Sequence, residues 1–267
     1  MADLHYREAG NSGDPAVLLV HGYPQSSHMW RSVLPVLAEQ GFHALAPDLA
    51  GYGDSEPNPP HTWERHMEAL EDFRIARGLG RVALVVHDWG GLIALRWACE
   101  HPAAVWALCI SDTGFFPDGR WSGPGEILRT DGQGEEFVNG LTRESFAGLL
   151  ASVSAGIDAD AAAEYFKAFG DDVRRRGQLE LYRSGDFEKL APYEGRLAQL
   201  GVPAVLLWGE DDFAAPVAGA HRFQRELPGS ELEVLEGTGH FVVDDAPDRY
   251  AQALAAFLTR AQADREA

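Results

Sequence analysis

The chain alternates between short, continuously apolar runs and longer segments whose apolar residues recur with helical spacing. Residues 17–20, 82–86, 105–110 and 204–208 are apolar throughout. Strands with this pattern are buried on both faces, as in a parallel sheet covered by helices. Weaker runs at residues 43–46 and 232–235 are candidates for the same sheet.

Helical patterns occupy the stretches between these runs, at residues 30–40, 63–79, 91–100 and 214–227. Alternation of strands and helices is typical of the α/β class. The sequence therefore predicts an α/β fold with a mostly parallel central sheet flanked by helices.

The alternation stops between residues 115 and 197, where no long apolar run occurs. This stretch holds a glycine-rich piece and then amphipathic segments at residues 135–152, 159–169 and 173–183. We predict an all-helical cap here, inserted after the sixth strand of the sheet, whose run ends near Ser111. An insertion at this point covers the carboxyl ends of the strands, where open α/β sheets bind ligands, and shields them from water.

These limits divide the chain into three predicted parts. Residues 1–114 form the first part of the core, residues 115–197 form the cap, and residues 198–267 form the second part of the core.

The charge balance restricts the partners. Twenty-two Lys and Arg against 41 Asp and Glu give a formal net charge of −19, which repels nucleic acid and anionic membranes. No apolar run approaches the ~18 residues of a membrane span, and the first six residues show no basic segment followed by an apolar one. We expect a cytoplasmic monomer or homodimer that binds neither nucleic acid nor membranes.

The two cysteines, Cys99 and Cys109, lie in apolar surroundings and form no CxxC motif. We expect both to be buried free thiols. The sequence contains no metal-ligand cluster, P-loop or dinucleotide fingerprint, so we expect no cofactor and no metal.

The clearest candidate for chemistry is the His-Asp-Trp-Gly-Gly turn at residues 87–91, centred on Asp88. A side chain on a tight strand-to-helix turn projects above the sheet, beside the N–H groups that begin the helix. The usual pattern has glycines two residues before and after the nucleophile. Val86 replaces the first and Gly90 keeps the second. An aspartate that merely caps the helix is the structural alternative.

Four further motifs accompany this turn in a fixed order. They are His-Gly-Tyr-Pro at 21–24, Asp-Leu-Ala-Gly-Tyr-Gly-Asp-Ser at 48–55, Trp-Gly-Glu-Asp-Asp at 208–212 and Gly-Thr-Gly-His-Phe at 237–241. Together the five motifs resemble the haloalkane dehalogenase and epoxide hydrolase branch of the α/β-hydrolases. The resemblance covers both sheet-forming parts and leaves the cap poorly matched. It implies the α/β-hydrolase fold.

The resemblance implies a role for each motif. A carboxylate suits displacement at a saturated carbon, which would leave an alkyl ester on Asp88. His240 would then activate the water that cleaves this ester. The backbone N–H groups of Tyr23 and Trp89 would stabilise the oxyanion, and the Tyr23–Pro24 bond is a candidate cis peptide.

Two residues are candidates for the acid that orients His240. Asp212 follows the strand that ends at residue 208, where most of the superfamily carries its acid. Asp112 lies at the tip of the strand at residues 105–111, where several dehalogenases, including those that act on fluoroacetate, carry theirs. We favour Asp212, with Asp112 serving instead or sharing the role. His21 and Asp48 are expected to be structural.

The leaving group separates two activities. A departing halide needs N–H donors, for which Trp89 and Trp121 are candidates, although we favour a packing role for Trp121. A departing alkoxide needs an acid, and Tyr182 resembles the second lid tyrosine of epoxide hydrolases, whose first has no counterpart here. Tyr23 replaces the Asn or Glu of many haloalkane dehalogenases. Trp89 and Leu92 replace the arginines that hold fluoroacetate, so we do not expect fluoroacetate as a substrate.

We therefore predict a hydrolase that acts on a small hydrophobic organic substrate with water. Haloalkane dehalogenase-like hydrolysis to an alcohol and a halide is favoured, and epoxide hydrolysis to a vicinal diol is the alternative. A non-catalytic hydrolase-fold protein that binds a ligand is the alternative from a different class.

Overall fold

The computed structural model describes residues 3–121 and 123–266, so Met1 and Ala2 of the amino-terminal segment lie outside the described residues. The described chain forms one sheet of seven strands in the order β1-β3-β2-β4-β5-β6-β7. The strands are β1 (Tyr6–Ala9), β2 (Ala16–Val20), β3 (His43–Pro47), β4 (Val82–His87), β5 (Val105–Ser111), β6 (Ala204–Gly209) and β7 (Glu231–Leu235). All neighbouring pairs are parallel except β1 and β3. The predicted fold class is thus confirmed.

Helices flank this sheet and also fill the connection between β5 and β6. They are α1 (Val33–Glu39), α2 (Trp63–Ala76), α3 (Trp89–Glu100), α4 (Pro124–Arg129), α5 (Gln133–Gly140), α6 (Arg143–Val153), α7 (Ala159–Phe166), α8 (Asp172–Ser184), α9 (Arg196–Gln199), α10 (Ala218–Glu226), α11 (Val242–Asp245) and α12 (Pro247–Glu266). Short 3-10 turns lie at Ser27–Trp30, Pro102–Ala104, Lys167–Phe169 and Phe187–Tyr193. No helix among the described residues is long and apolar enough to cross a membrane.

The four strongest apolar runs form strands that are buried along almost their whole length. Strands β4, β5 and β6 are buried at every position, and β2 at all but Ala16. Cys99 and Cys109 are buried and free, as predicted.

Helices α4 to α8 lie between β5 and β6, so the connection follows the fifth strand of the described chain rather than the sixth. The predicted strand number, six, was too high by one. The described residues before Tyr6 form no strand, so four strands precede β5. The position in the chain, after Ser111, is as predicted. The boundaries at residues 115 and 197 remain our proposal, and we call residues 115–197 the cap.

The sheet topology brings the chemistry-bearing residues to one edge. Asp88 follows β4, Asp112 follows β5 and Asp212 follows β6, and these three strands are neighbours. Carboxyl ends of parallel strands meet at the same edge of a sheet. The fold therefore gathers three acidic side chains above adjacent strands.

Candidate active site

Asp88 occupies a strained turn between β4 and α3. Its backbone has φ 48° and ψ −123°, and α3 begins at the next residue, Trp89. A non-glycine residue in this region costs on the order of 1–3 kcal/mol and persists only where its surroundings hold it. The Thr113 hydroxyl does so by donating to the Asp88 carbonyl at 2.7 Å. The Asp88 side chain makes no capping hydrogen bond to α3, which removes the structural alternative.

Two glycines make room for this turn. A Cβ on Gly22 would lie 2.5 Å from the Asp88 Cβ, and one on Gly90 would lie 2.3 Å from the Val20 carbonyl oxygen. Both distances are shorter than real contacts allow. Val86, where the usual pattern has glycine, is buried in β4 and packs in the core. The tight approach thus comes after Asp88 and not before it.

His240 lies between Asp88 and Asp212. Its Nε2 is 3.6 Å from Oδ2 of Asp88, and its Nδ1 is 3.0 Å from Oδ2 of Asp212. The Asp212 carboxylate is held in turn by the N–H groups of Ala214 and Ala215, at 2.7 and 2.8 Å. The structure therefore brings Asp88, His240 and Asp212 into one row.

The charges of this row stabilise one another. Burial alone would lower the pKa of His240, but Asp212 and Asp88 outweigh it and hold that pKa well above its usual value. Burial alone would raise the pKa of Asp88, but His240 outweighs it and holds that pKa below its usual value. The row therefore stabilises the imidazolium and both carboxylates against proton transfer among them.

Asp112 lies apart from the imidazole. Its Oδ1 accepts the Gly209 N–H at 2.9 Å, and its Oδ2 is buried without a hydrogen-bond donor. Burial, followed by the charge of Asp212, raises the pKa of Asp112 well above its usual value. Of the two candidate acids, Asp212 is the one that contacts His240.

The candidate oxyanion donors face Asp88. The Tyr23 N–H donates to Oδ1 of Asp88 at 2.7 Å, and the Trp89 N–H also interacts with this carboxylate and lowers its pKa. The Tyr23–Pro24 peptide bond is cis, as predicted.

Trp89, Trp121, Tyr182 and Tyr23 form an aromatic cluster next to Asp88. Trp89 stacks on Trp121 with ring centroids 5.1 Å apart and meets Tyr182 edge-on at 5.1 Å, and Tyr182 meets Tyr23 at 4.9 Å. The Trp89 Nε1–H is buried and makes no hydrogen bond of good geometry, although it lies close enough to the Tyr182 hydroxyl to act on the pKa of that phenol. The Trp121 Nε1–H donates to the Gly185 carbonyl at 2.8 Å, so Trp121 offers a ring face rather than a donor.

Gly185 was not predicted from the sequence. A Cβ at this position would lie 2.2 Å from Cη2 of Trp89. It directly follows α8, where a glycine is commonly read as a helix terminator. Nothing local in the sequence indicates that a ring from α3 fills the space.

A second set of contacts missed by the sequence reasoning joins the cap to the segment that follows His240. Tyr165 donates to the buried carboxylate of Asp244 at 2.9 Å. Asp245 accepts from Ser154 and, at 3.0 Å, from the N–H of Gly239, the residue before His240. We call the contacts of Asp244 and Asp245 the cap seam.

His87, which precedes Asp88, had no predicted role of its own. Nε2 of His87 donates to the backbone oxygen of His240 at 2.7 Å. Burial, followed by the charge of His240, lowers the pKa of His87 to about 4, so it is neutral at pH 7. It therefore anchors the backbone of His240 without adding a charge.

His21 and Asp48 make structural contacts. Nε2 of His21 accepts the Leu49 N–H at 2.9 Å, and Asp48 accepts the Ser27 N–H at 2.6 Å. Within the described part of the chain, one group of potential metal ligands occurs, formed by His5, Asp48 and Asp54. Lys167 already places its ammonium 2.8 Å from Asp54.

Comparison with known proteins agrees with this geometry. The family described as the alpha/beta hydrolase fold matches residues 15–247. A haloalkane dehalogenase of Mesorhizobium japonicum is 30% identical over 96% of this chain and 87% of its own length. Bifunctional epoxide hydrolase 2 of Sus scrofa is 37% identical over 48% of this chain and 23% of its own length.

Among solved structures, a putative ancestral haloalkane dehalogenase superimposes with a TM-score of 0.85 at 28% identity, covering 97% of this chain and 96% of the other. The chain is therefore a hydrolase of the α/β-hydrolase superfamily and belongs to the branch that contains the haloalkane dehalogenases and epoxide hydrolases.

Proposed function

We propose that this hydrolase cleaves the carbon–halogen bond of a small hydrophobic organic substrate through an alkyl ester on Asp88. The observation that carries the proposal is a half-buried carboxylate, on a strained turn above the sheet, with the imidazole of His240 at 3.6 Å. In the first step an Asp88 oxygen bonds to the substrate carbon and the halide departs with the bonding electrons.

Water then attacks the carbonyl carbon of the ester, and His240 takes the proton from that water. The Tyr23 and Trp89 N–H groups hold the oxyanion, which collapses to release the alcohol and restore the Asp88 carboxylate. Asp212 stabilises the imidazolium that forms, as the buried aspartate of a Ser-His-Asp triad does.

Ester formation prepares the base for this second step. The Asp88 carboxylate is one of the two charges that raise the pKa of His240. Alkylation turns that carboxylate into a neutral ester and so lowers the pKa of the imidazole. His240 thus becomes able to accept a proton once the ester exists, and hydrolysis is faster at a pH above its pKa.

The surroundings of Asp88 favour an uncharged substrate. After burial, the groups with the largest effect on its pKa are His240, His87 and the Trp89 N–H, with no arginine or lysine among them. A carboxylate-bearing substrate would meet Asp88 with His240 as the neighbouring cation, and His240 is already paired with Asp88 and Asp212. The aromatic cluster instead offers apolar ring faces.

A second candidate, epoxide hydrolysis, is favoured by a specific observation. The N–H of Trp121 is bound to the Gly185 carbonyl, so Trp89 is the indole of the cluster that can donate to a leaving group. The Tyr182 ring lies 5.1 Å from the Trp89 ring and adds a hydroxyl to the same cluster. Burial, followed by the charge of Asp88, raises the pKa of Tyr182 well above its usual value, so the phenol keeps its proton. A protonated phenol is the acid that a departing alkoxide needs.

Two single substitutions separate these candidates. Trp89→Phe removes the indole N–H and is expected to lower haloalkane turnover by roughly 10²-fold, the effect of losing one preorganised donor. Tyr182→Phe removes the acid and is expected to lower epoxide turnover by about 10²-fold or more. Both variants and the parent are assayed for halide release and for diol formation on a mixed panel.

The panel has outcomes that contradict each candidate. Diol formation that falls only in Tyr182→Phe, with no halide release by the parent, would replace dehalogenation by epoxide hydrolysis. Turnover of neither class by the parent would defeat both.

Gly185→Ala tests whether the aromatic cluster is set by packing. The added Cβ displaces the Trp89 ring, and with it the indole N–H, so we expect kcat to fall by about tenfold or more. Gly148→Ala is the matched control, because a Cβ there meets nothing within 4 Å and the residue lies inside α6. The control is expected to keep its kcat and to gain up to about 1 kcal/mol of stability. Equal rates for the two variants would contradict the packing role.

A further inference from the structure

Asp112 contributes a buried carboxyl group that the proposed reaction does not use. It lies at the end of β5 in a positive-φ conformation, φ 46°, and is 0% exposed. One of its oxygens accepts the Gly209 N–H at 2.9 Å, whereas Oδ2 is buried and meets no donor. A buried carboxylate oxygen without a donor is costly, so the group needs another explanation.

The side chain that interacts with Asp112 most strongly is another acid, Asp212. Two adjacent buried carboxyls cannot both be ionised without a large repulsion. Asp212 is well supplied with donors, from Ala214, Ala215 and His240. Asp112 has only the N–H of Gly209, so the negative charge belongs on Asp212 and the proton on Asp112.

The other groups near Asp112 do not change this assignment. Burial raises the pKa of the Cys109 thiol to about 12 and that of the Tyr250 phenol well above its usual value, so both are neutral. His240 is the one cation that acts on Asp112, and it directly contacts Asp212. Burial and the Asp212 charge raise the pKa of Asp112, whereas His240 and the backbone donors lower that of Asp212.

We propose that Asp112 is a positioning residue. It carries a proton on Oδ2 and donates a hydrogen bond from this O–H to the Asp212 carboxylate. The row then continues as Asp112, Asp212, His240 and Asp88, with one proton fixed at its far end. This inference rests on the proposed function for its catalytic consequence, but the protonation state itself does not.

Asp112→Asn and Asp112→Gly form the test. Asn keeps a donor toward Asp212 and accepts positive φ readily, so turnover is expected to fall by no more than about threefold. Gly takes the same φ without strain but removes the donor. That variant is expected to lose about tenfold to hundredfold, the effect of leaving a buried acceptor unsatisfied. The loss should fall on hydrolysis of the ester, so that intact-mass measurement at steady state shows alkylated enzyme in Asp112→Gly and little in Asp112→Asn.

Infrared spectroscopy supplies a readout that does not depend on turnover. The parent-minus-Asp112→Asn difference spectrum should contain the carbonyl stretch of a protonated carboxyl, and this band should shift in D₂O. Asp211→Asn, which removes an exposed acid from the same loop as Asp212, is the control and should show no such band. The pH at which activity falls on the acid side should be the same in Asp112→Asn and in the parent, because no charge has been removed.

Three results would overturn the proposal. They are an absent protonated-carboxyl band, an Asp112→Asn variant as slow as Asp112→Gly, and a shift of the acid limb in Asp112→Asn. If the parent turned over no substrate, the proposed function would fail, while the infrared comparison would still decide where the proton lies.

Discussion

Replacing Asp88 by alanine is expected to abolish turnover, with a loss of roughly 10⁶-fold, as when a nucleophile that acts with a base is removed. The reason is that the variant has no nucleophile on the turn. In the parent, the Tyr23 N–H and His240 both contact the Asp88 carboxylate. Halide release or diol formation by the purified variant measures the effect. Alanine, like aspartate, is strained at this positive φ, so the substitution does not relieve the turn. Comparison of the thermal unfolding midpoints of the variant and the parent shows whether the fold is kept.

Isotope labelling checks that the loss reflects a covalent step. In a single turnover of the parent in H₂¹⁸O, the alcohol should carry unlabelled oxygen, because its oxygen comes from Asp88. The label should appear in the peptide that contains Asp88. Labelled alcohol in that first turnover, or an Asp88→Ala variant within tenfold of the parent, would mean that water attacks the substrate directly.

His240→Gln is expected to form the ester but not to hydrolyse it. The imidazole takes no part in displacement at carbon, whereas hydrolysis needs it as a base, so the variant should gain the mass of one alkyl group on Asp88. Intact-mass spectrometry after exposure to a mixed panel identifies that group. A hydroxyl retained in the adduct indicates an epoxide, and its absence indicates a haloalkane.

His221→Gln is the matched control for this substitution, since His221 is exposed on α10. It should turn over at the parent rate and accumulate no adduct. Normal turnover by His240→Gln would show that another group activates the water.

The sequence predicted the elements whose pattern is continuous. The runs that became β2, β4, β5 and β6 are apolar because both faces of the sheet are covered. Strand β4 leads directly into the turn that holds Asp88. Strand β1 was missed because its four residues are mostly half-buried and include Arg7 and Glu8. Its place in the sheet depends on pairing with β3, which is a long-range contact.

The local sequence pattern cannot tell whether Asp112 or Asp212 contacts His240. Both residues follow buried strands, so spacing alone favours neither. The path of the loop after β6 decides the matter, because it places the Asp212 carboxylate against Nδ1 of His240. Trp121 is a similar case. Its N–H is bound by a carbonyl that lies 64 positions away, at Gly185.

The cap seam has a consequence for recombination between relatives. Asp244 binds Tyr165 and Asp245 binds Ser154, while Asp245 also holds Gly239 beside the base. A chimera that takes its cap from one parent and its core from another would separate these partners. Crossover points that transfer residues 239–245 together with the cap would keep these three pairs intact. Asp244 would then meet the Gln25 and Arg31 of the other parent, and His240 would meet its His87 and Asp212, so both sides of residues 239–245 must match.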